Sequence, residues 1–312
     1  REAGAAVILM GHTADDRAEA AVMRLAGSST PSPRTWSPSP VWPQGRGVFL
    51  LRPFLGVRRA AIRVALAALG ETWIDDPGNV DPSSARARAR GLIAGAPVDD
   101  EPETALAEGP DPVVLTGPAG DLVLPIDQLT AATDDLGLLG AALVCAAGAE
   151  RPPRRERLAR LMARLTARSP FAATLAGARV ESDGAQAHIV RDAGDTRRVA
   201  MADDALPAGR AVVWDGRFEF SARSSGLRVG PLAGRAGRLP AAMRATLAEI
   251  PPSARRALPV VTHVDGALTL PTVRRDPLVD ARPLAPARLT AALGRIIDEA
   301  ALRRMAKHAR PY

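Results

Sequence analysis

Six apolar residues in a row, Ala5-Ala6-Val7-Ile8-Leu9-Met10, lead through Gly11 and His12 into a helical pattern that begins at Thr13. An unbroken apolar run of this kind predicts a strand buried on both faces, as in a parallel sheet. Ala18, Ala21, Val22 and Leu25 then recur at helical spacing, so Thr13 to Leu25 reads as a helix. Val48 to Leu51 reads as another buried strand, and Val57 to Leu69 as a helix closed by Gly70. Strand, helix, strand, helix in this order predicts an α/β layer. Residues 27–47 carry five prolines, Pro31 to Pro43, which predict a loop without regular structure.

The rest of the chain has a different texture. Residues 97–111 are acidic and bear Pro and Gly, as a linker does. Helical patterns follow over 127–168, among them a run from Leu136 to Ala149 apolar enough to be buried. From residue 171, alternating runs predict antiparallel strands at Ala178–Ser182, Ala185–Arg191, Ala211–Trp214 and Arg217–Ser221. Ser182-Asp183-Gly184 is a hairpin turn signal, and Pro286 to Ala300 reads as a closing helix. With 312 residues, the chain has room for about two domains at roughly 150 residues each. The texture divides it into 1–96, a linker and helical region over 97–170, and an α+β region over 171–312.

Composition excludes several classes. One cysteine, Cys145, leaves no disulfide framework and no cysteine-based zinc site. Aromatics make up 3%, too few for a base-stacking platform. No apolar stretch reaches the 18 or so residues of a membrane span, and a soluble cytoplasmic protein is expected. The net charge of +7 is uneven: −1 over residues 1–110 and +8 over residues 111–312. A basic region beside a neutral one fits a polyanionic partner, nucleic acid first. A GC-rich genome also favours arginine, and Lys307 is the only lysine among the 41 basic residues.

Chemistry concentrates at Gly11-His12-Thr13-Ala14-Asp15-Asp16-Arg17-Ala18-Glu19, where a strand passes into a helix. Ligands of open α/β sheets bind at that carboxyl edge. His12, Asp15, Asp16 and Glu19 are spaced i, i+3, i+4, i+7 and predict one helical face that could hold Mg²⁺, bind an amine or move protons. Helix capping alone would account for Thr13 and one acid, but not for all four. A second cluster is Trp73-Ile74-Asp75-Asp76-Pro77-Gly78-Asn79-Val80-Asp81, followed by Arg86, Arg88 and Arg90. Arginines at period two share a face only if extended, and there they would meet phosphates. The third is Arg151 to Arg168, with Leu158, Leu161, Met162 and Leu165 on one stripe and seven arginines with Glu156 elsewhere. Such a helix either lies along a nucleic-acid backbone or turns a solvated face outward. His188, His263 and His308 lack partners at metal-ligand spacing and read as structural.

These residues carry a resemblance. Residues 11–20 with Met23-Arg24-Leu25 resemble His-x-x-Asp-Asp-Gln-Ala-Glu-Thr…Leu-Arg-Leu of the tRNA(Ile)-lysidine synthetase family. Leu51-Arg52-Pro53-Phe54-Leu55 resembles its Arg-Pro-Leu-Leu, residues 73–81 its Trp-x-Glu-Asp-Pro-Ser-Asn-x-Asp, and residues 86–90 its Arg-Asn-Arg-Ile-Arg. Val213 to Phe218 is similar to the C-terminal region of proteobacterial members. The resemblance implies a parallel-sheet, Rossmann-like PP-loop ATP-pyrophosphatase fold, followed by helices and a smaller α+β region. It implies ATP, with Mg²⁺ as its counterion, adenylating the wobble cytidine of tRNA(Ile) with anticodon CAU. The amine of free L-lysine then displaces AMP to form lysidine. Carried over by motif, Asp16 would bind the lysine amine, His12 and Asp15 would lie by the nucleotide, and Arg86 would meet the developing charge. Glu19, Arg24, Arg52, Asp76, Asn79, Arg88 and Arg90 would complete the substrate site, no residue would serve as a metal ligand, and a homodimer stays open. The family's Ser-Gly-Gly-x-Asp-Ser loop is not in the sequence, Arg17 replaces Gln, and Ala87 and Ala89 replace Asn and Ile. The expectation is therefore an N-terminally truncated enzyme, inactive by itself, with a degenerate, non-catalytic tRNA-binding homologue as the alternative. A metal hydrolase built on His12, Asp15, Asp16 and Glu19 ranks last.

Overall fold

The computed structural model describes residues 7–28, 32–34, 36–38, 48–77, 81, 83–93, 114–131, 137–150, 152–198 and 203–293. The expected linker over 97–111, the end of the closing helix, Asn79 and His308 lie outside them.

The first unit contains β1 (Val7–Leu9), α1 (Ala14–Leu25), β2 (Trp36–Pro38), β3 (Phe49–Leu51), α2 (Arg59–Ala68) and α3 (Ala85–Ile93). β1 pairs parallel with β3, Val7 opposite Phe49 and Leu9 opposite Leu51, so β1, α1 and β3 form the expected strand–helix–strand unit. Burial departs from expectation. Val48, Phe49 and Leu50 are buried, but Val7, Ile8 and Leu9 are exposed. Among the described residues β1 has one strand neighbour, in a sheet of order β1-β3-β2. The proline-rich segment is also more ordered than expected. Trp36–Pro38 pairs antiparallel with β3, Pro38 opposite Phe49. A proline is tolerated there because β2 is an edge strand that ends at it.

Thr13 caps α1 from an extended backbone (φ −119°, ψ 176°), Asp15 and Asp16 lie in the first turn and Arg24 in the last, each complementing the helix dipole. α2 is alanine-rich and ends at Gly70, whose φ of +72° only glycine adopts readily. Residues 85–93, whose arginines would share a face only if extended, are helical and pack against α1.

From residue 114 the architecture is α+β. β4 (Leu115–Thr116), β5 (Leu122–Pro125), α4 (Ile126–Ala131), α5 (Gly137–Ala147), α6 (Arg155–Thr166), β6 (Phe171–Leu175), β7 (Ala178–Ser182), β8 (Gln186–Arg191) and α7 (Ala193–Arg198) come first. β9 (Asp204–Leu206), β10 (Ala211–Trp214), β11 (Phe218–Ala222), β12 (Leu227–Pro231), α8 (Ala241–Glu249) and α9 (Pro252–Arg255) follow. β13 (Pro259–Thr262), β14 (Leu268–Thr269), β15 (Val279–Pro283) and α10 (Ala285–Ala292) complete it. The sheets run β4-β5-β8-β7-β6, β14-β13-β12-β9 and β10-β11-β15.

One apolar core spans residues on both sides of position 170. Leu139 and Leu143 of α5 and Leu158, Leu161, Met162 and Leu165 of α6 share one core with Val180, Ile189 and, from α10, Leu289. The apolar stripe of α6 packs on α4 and α5, and α5 in turn lies on β7 and β8. A separate core joins the two smaller sheets through Leu206, Trp214, Phe218, Phe220, Val229 and Val261.

Arg217 fastens these layers. Its side chain is fully buried, paired with Asp215 at 2.7 Å, and it donates to the carbonyls of Ala119 and Ala257. Its guanidinium lies 4.9 Å from the Phe218 ring centroid. The turn that carries it leaves no room at Gly148, where a Cβ would meet the Asp215 carbonyl oxygen at 2.0 Å. The Val213–Phe218 motif thus builds a structural joint.

Candidate nucleotide and substrate site

The carboxylates around Thr13 share an end of α1 but face different neighbours. His12 precedes the cap and stands outside the helix, which corrects the expectation of one four-residue helical face. Asp16 closes the capping box: its Oδ2 accepts from the Thr13 N–H at 2.8 Å and the Thr13 hydroxyl at 3.0 Å. Asp15 turns to α2 instead, accepting the Arg59 N–H at 2.8 Å and pairing with the Arg58 guanidinium at 3.2 Å. It caps a neighbouring helix that has no acid in its own first turn. Glu19, one turn further on, is fully buried and faces α3. Arg90 meets it at 2.7 Å, Arg86 at 3.4 Å and Arg59 at 3.6 Å.

His12 is tied to the other strand. Arg52, just past β3, donates from Nε to His12 Nδ1 at 3.2 Å and from Nη1 to the Arg34 carbonyl at 2.8 Å. Accepting at Nδ1 fixes the neutral ring with its proton on Nε2. Burial lowers the His12 pKa, and the Arg52 and Arg86 charges lower it further against the opposing pull of Asp16. His12 is therefore a neutral Nε2–H donor at neutral pH.

His12, Asp15, Asp16, Glu19, Arg52, Arg86 and Arg90 are thus brought together. Arg24 is not among them: it lies eight residues along α1 from Asp16, about 12 Å of helical rise. Arg88 faces away and donates to the Ser83 carbonyl at 2.8 Å, because a helix puts residues two apart on opposite sides. Asp76 is exposed on a segment that Arg63 of α2 holds, through an ion pair with Asp75 and a 5.2 Å contact with the Trp73 ring.

Arg58 and Arg59 escaped sequence reasoning. A signal was there: two arginines opening a helix oppose its dipole unless acids stand nearby. With them, five guanidiniums (Arg52, Arg58, Arg59, Arg86, Arg90) surround three carboxylates, a cationic excess suited to phosphate. The carboxylates are engaged by N–H groups and guanidiniums. Among the described residues no group of three or more His, Cys, Asp or Glu side chains has metal-holding geometry.

Comparison with known proteins agrees with this geometry. A family model described as a PP-loop domain matches residues 1–95. The tRNA(Ile)-lysidine synthase of Caulobacter vibrioides is 48% identical over 96% of this chain and 72% of its own length. The chain belongs to the tRNA(Ile)-lysidine synthase family. The synthase of Hyphomonas neptunium is 36% identical, over 56% of this chain and 53% of that protein. The synthase of Mesorhizobium japonicum is 29% identical, over 94% of this chain and 71% of that protein. For a synthase of this family, a PP-loop domain implies ATP use, which the arginine-rich edge suits. Among the described residues no helix is long and apolar enough to cross a membrane.

Proposed function

We propose that this protein ligates free L-lysine to C2 of the wobble cytidine of tRNA(Ile), consuming ATP and forming lysidine. The observation that carries the proposal is the convergence of His12, Asp16, Arg52 and Arg86 at the carboxyl edge of a parallel strand pair. The cytidine C2 oxygen attacks the α-phosphorus of ATP and pyrophosphate leaves. Arg86, half exposed, and the His12 Nε2–H stabilise the charge that develops on the phosphate oxygens. The lysine amine then attacks C2, and AMP departs with the former carbonyl oxygen. Asp16 attracts the lysine ammonium by charge and hydrogen bonding. Mg²⁺ arrives as the counterion of the nucleotide, since the acids here are engaged by protein donors.

Residues 1–96 form the nucleotide unit, and the basic remainder holds the CAU-anticodon tRNA. Arg154, just before α6, and Arg155, Arg157, Arg160 and Arg164 on it are exposed beside the buried leucine stripe, so they track the phosphate backbone. The reaction belongs to the cytoplasm, where tRNA, lysine and ATP meet. The test is pyrophosphate–ATP exchange by the native gene product. Exchange that requires tRNA(Ile) supports the reading; tRNA binding with no exchange supports a degenerate homologue instead.

A further inference from the structure

Glu19 stands apart from its neighbours because it has no surface to offer a ligand. Its side chain is fully buried, yet it carries a charge. A buried carboxylate is costly unless cations offset it, and well-packed apolar residues often serve stability as well or better. Stability alone therefore does not account for it. Its contacts point to another task. Oε1 receives Arg90 at 2.7 Å and Arg59 at 3.6 Å, and Oε2 faces Arg86 Nε at 3.4 Å. Oε2 is buried and makes no hydrogen bond among the described residues, so the Arg86 charge is what it answers to. Arg86 and Arg90 are one turn apart on α3 and repel each other. Glu19 lets both lie against α1. The approach through Nε leaves the four Nη protons of Arg86 for an anion, and its side chain is 48% exposed.

We propose that Glu19 is a positioning residue: buried beneath the site, it fixes the Arg86 guanidinium at the site's open edge without touching substrate. This reading rests on the function proposed above and replaces the substrate-binding role that the motif implied for Glu19.

The experiment is a double-mutant cycle in the native gene product with Glu19→Gln, Arg86→Ala and the pair. Two readouts are taken: kcat and KM for lysine transfer to tRNA(Ile), and calorimetric titration with AMP. Glu19→Gln should lower kcat about tenfold or more, with KM for lysine changed less than about threefold. When Arg86→Ala is already present, adding Glu19→Gln should change kcat and AMP affinity less than about threefold, because the two residues act as one unit. Glu19→Asp keeps the charge and should retain more activity than Glu19→Gln; it also serves the cycle if Glu19→Gln does not fold. Equal losses from Glu19→Gln with and without Arg86→Ala would overturn the proposal, as would a Glu19→Asp variant no better than Glu19→Gln. If the unmodified protein transfers no lysine, the functional reading fails, and the AMP cycle still decides the role of Glu19.

Discussion

Asp15 and Asp16 are adjacent in sequence and do different work. Asp15 satisfies the first N–H of α2, and Asp16 satisfies that of Thr13. Both are legible in the sequence as functional candidates, but nothing there tells which spends its charge on a helix from 44 residues away. Asp15→Ala should cost about 1 kcal/mol of stability, the usual worth of an N-cap, measured by urea denaturation. Asp15→Asn, which keeps an acceptor, should cost less. His12 gives a second prediction. Its pKa lies below the ordinary 6.5, chiefly through burial. The fold therefore disfavours the protonated ring. Its stabilising contribution is present above pH 6.5 and is lost as pH falls through the lowered value. An NMR titration should place the His12 midpoint below 6.5, and a midpoint above it would contradict the assigned burial and Arg52 contact.

Among the elements, α1, α2 and the strands β7 and β10 are legible because their apolar spacing or alternation is strong. α3 is not: alternating alanine and arginine carries no apolar period, so helix and strand remain equal until packing against α1 decides. Its helicity splits the arginines, Arg86 and Arg90 toward Glu19 and Arg88 away. The exposure of β1 is hidden from the sequence because an apolar run reports what could be covered, not what covers it. The buried stripe of α6 is legible, and its arginine face yields a prediction. Reversing Arg154, Arg157 and Arg160 to glutamate should weaken tRNA binding. It should also flatten the dependence of log K on log salt, by about 0.7–0.9 for each phosphate no longer neutralised. Filter binding across a potassium chloride series measures both. An unchanged slope would return α6 to a merely solvated helix.

In the whole molecule, residues far apart in sequence meet at joints that no local pattern announces. Arg217 reaches the Ala119 carbonyl 98 residues away and the Ala257 carbonyl 40 residues away. The Val213–Phe218 segment is legible as a motif, but its role as a joint follows only from the tertiary fold. Removing one partner of such a buried pair leaves an uncompensated charge, so Arg217→Ala should cost about 3–5 kcal/mol. Denaturation should show this as unfolding of the region from residue 114 onward under milder conditions, with Asp215→Asn costing less. The central claim concerns chemistry, however, and one measurement tests it most directly. The native gene product is incubated with tRNA(Ile), ATP and isotope-labelled lysine, and the wobble nucleoside is then weighed by mass spectrometry. The account predicts a cytidine heavier by one lysine less one water, with one AMP and one pyrophosphate released, and no such product from Asp16→Ala. An unmodified cytidine on a tRNA that is nonetheless bound would contradict it.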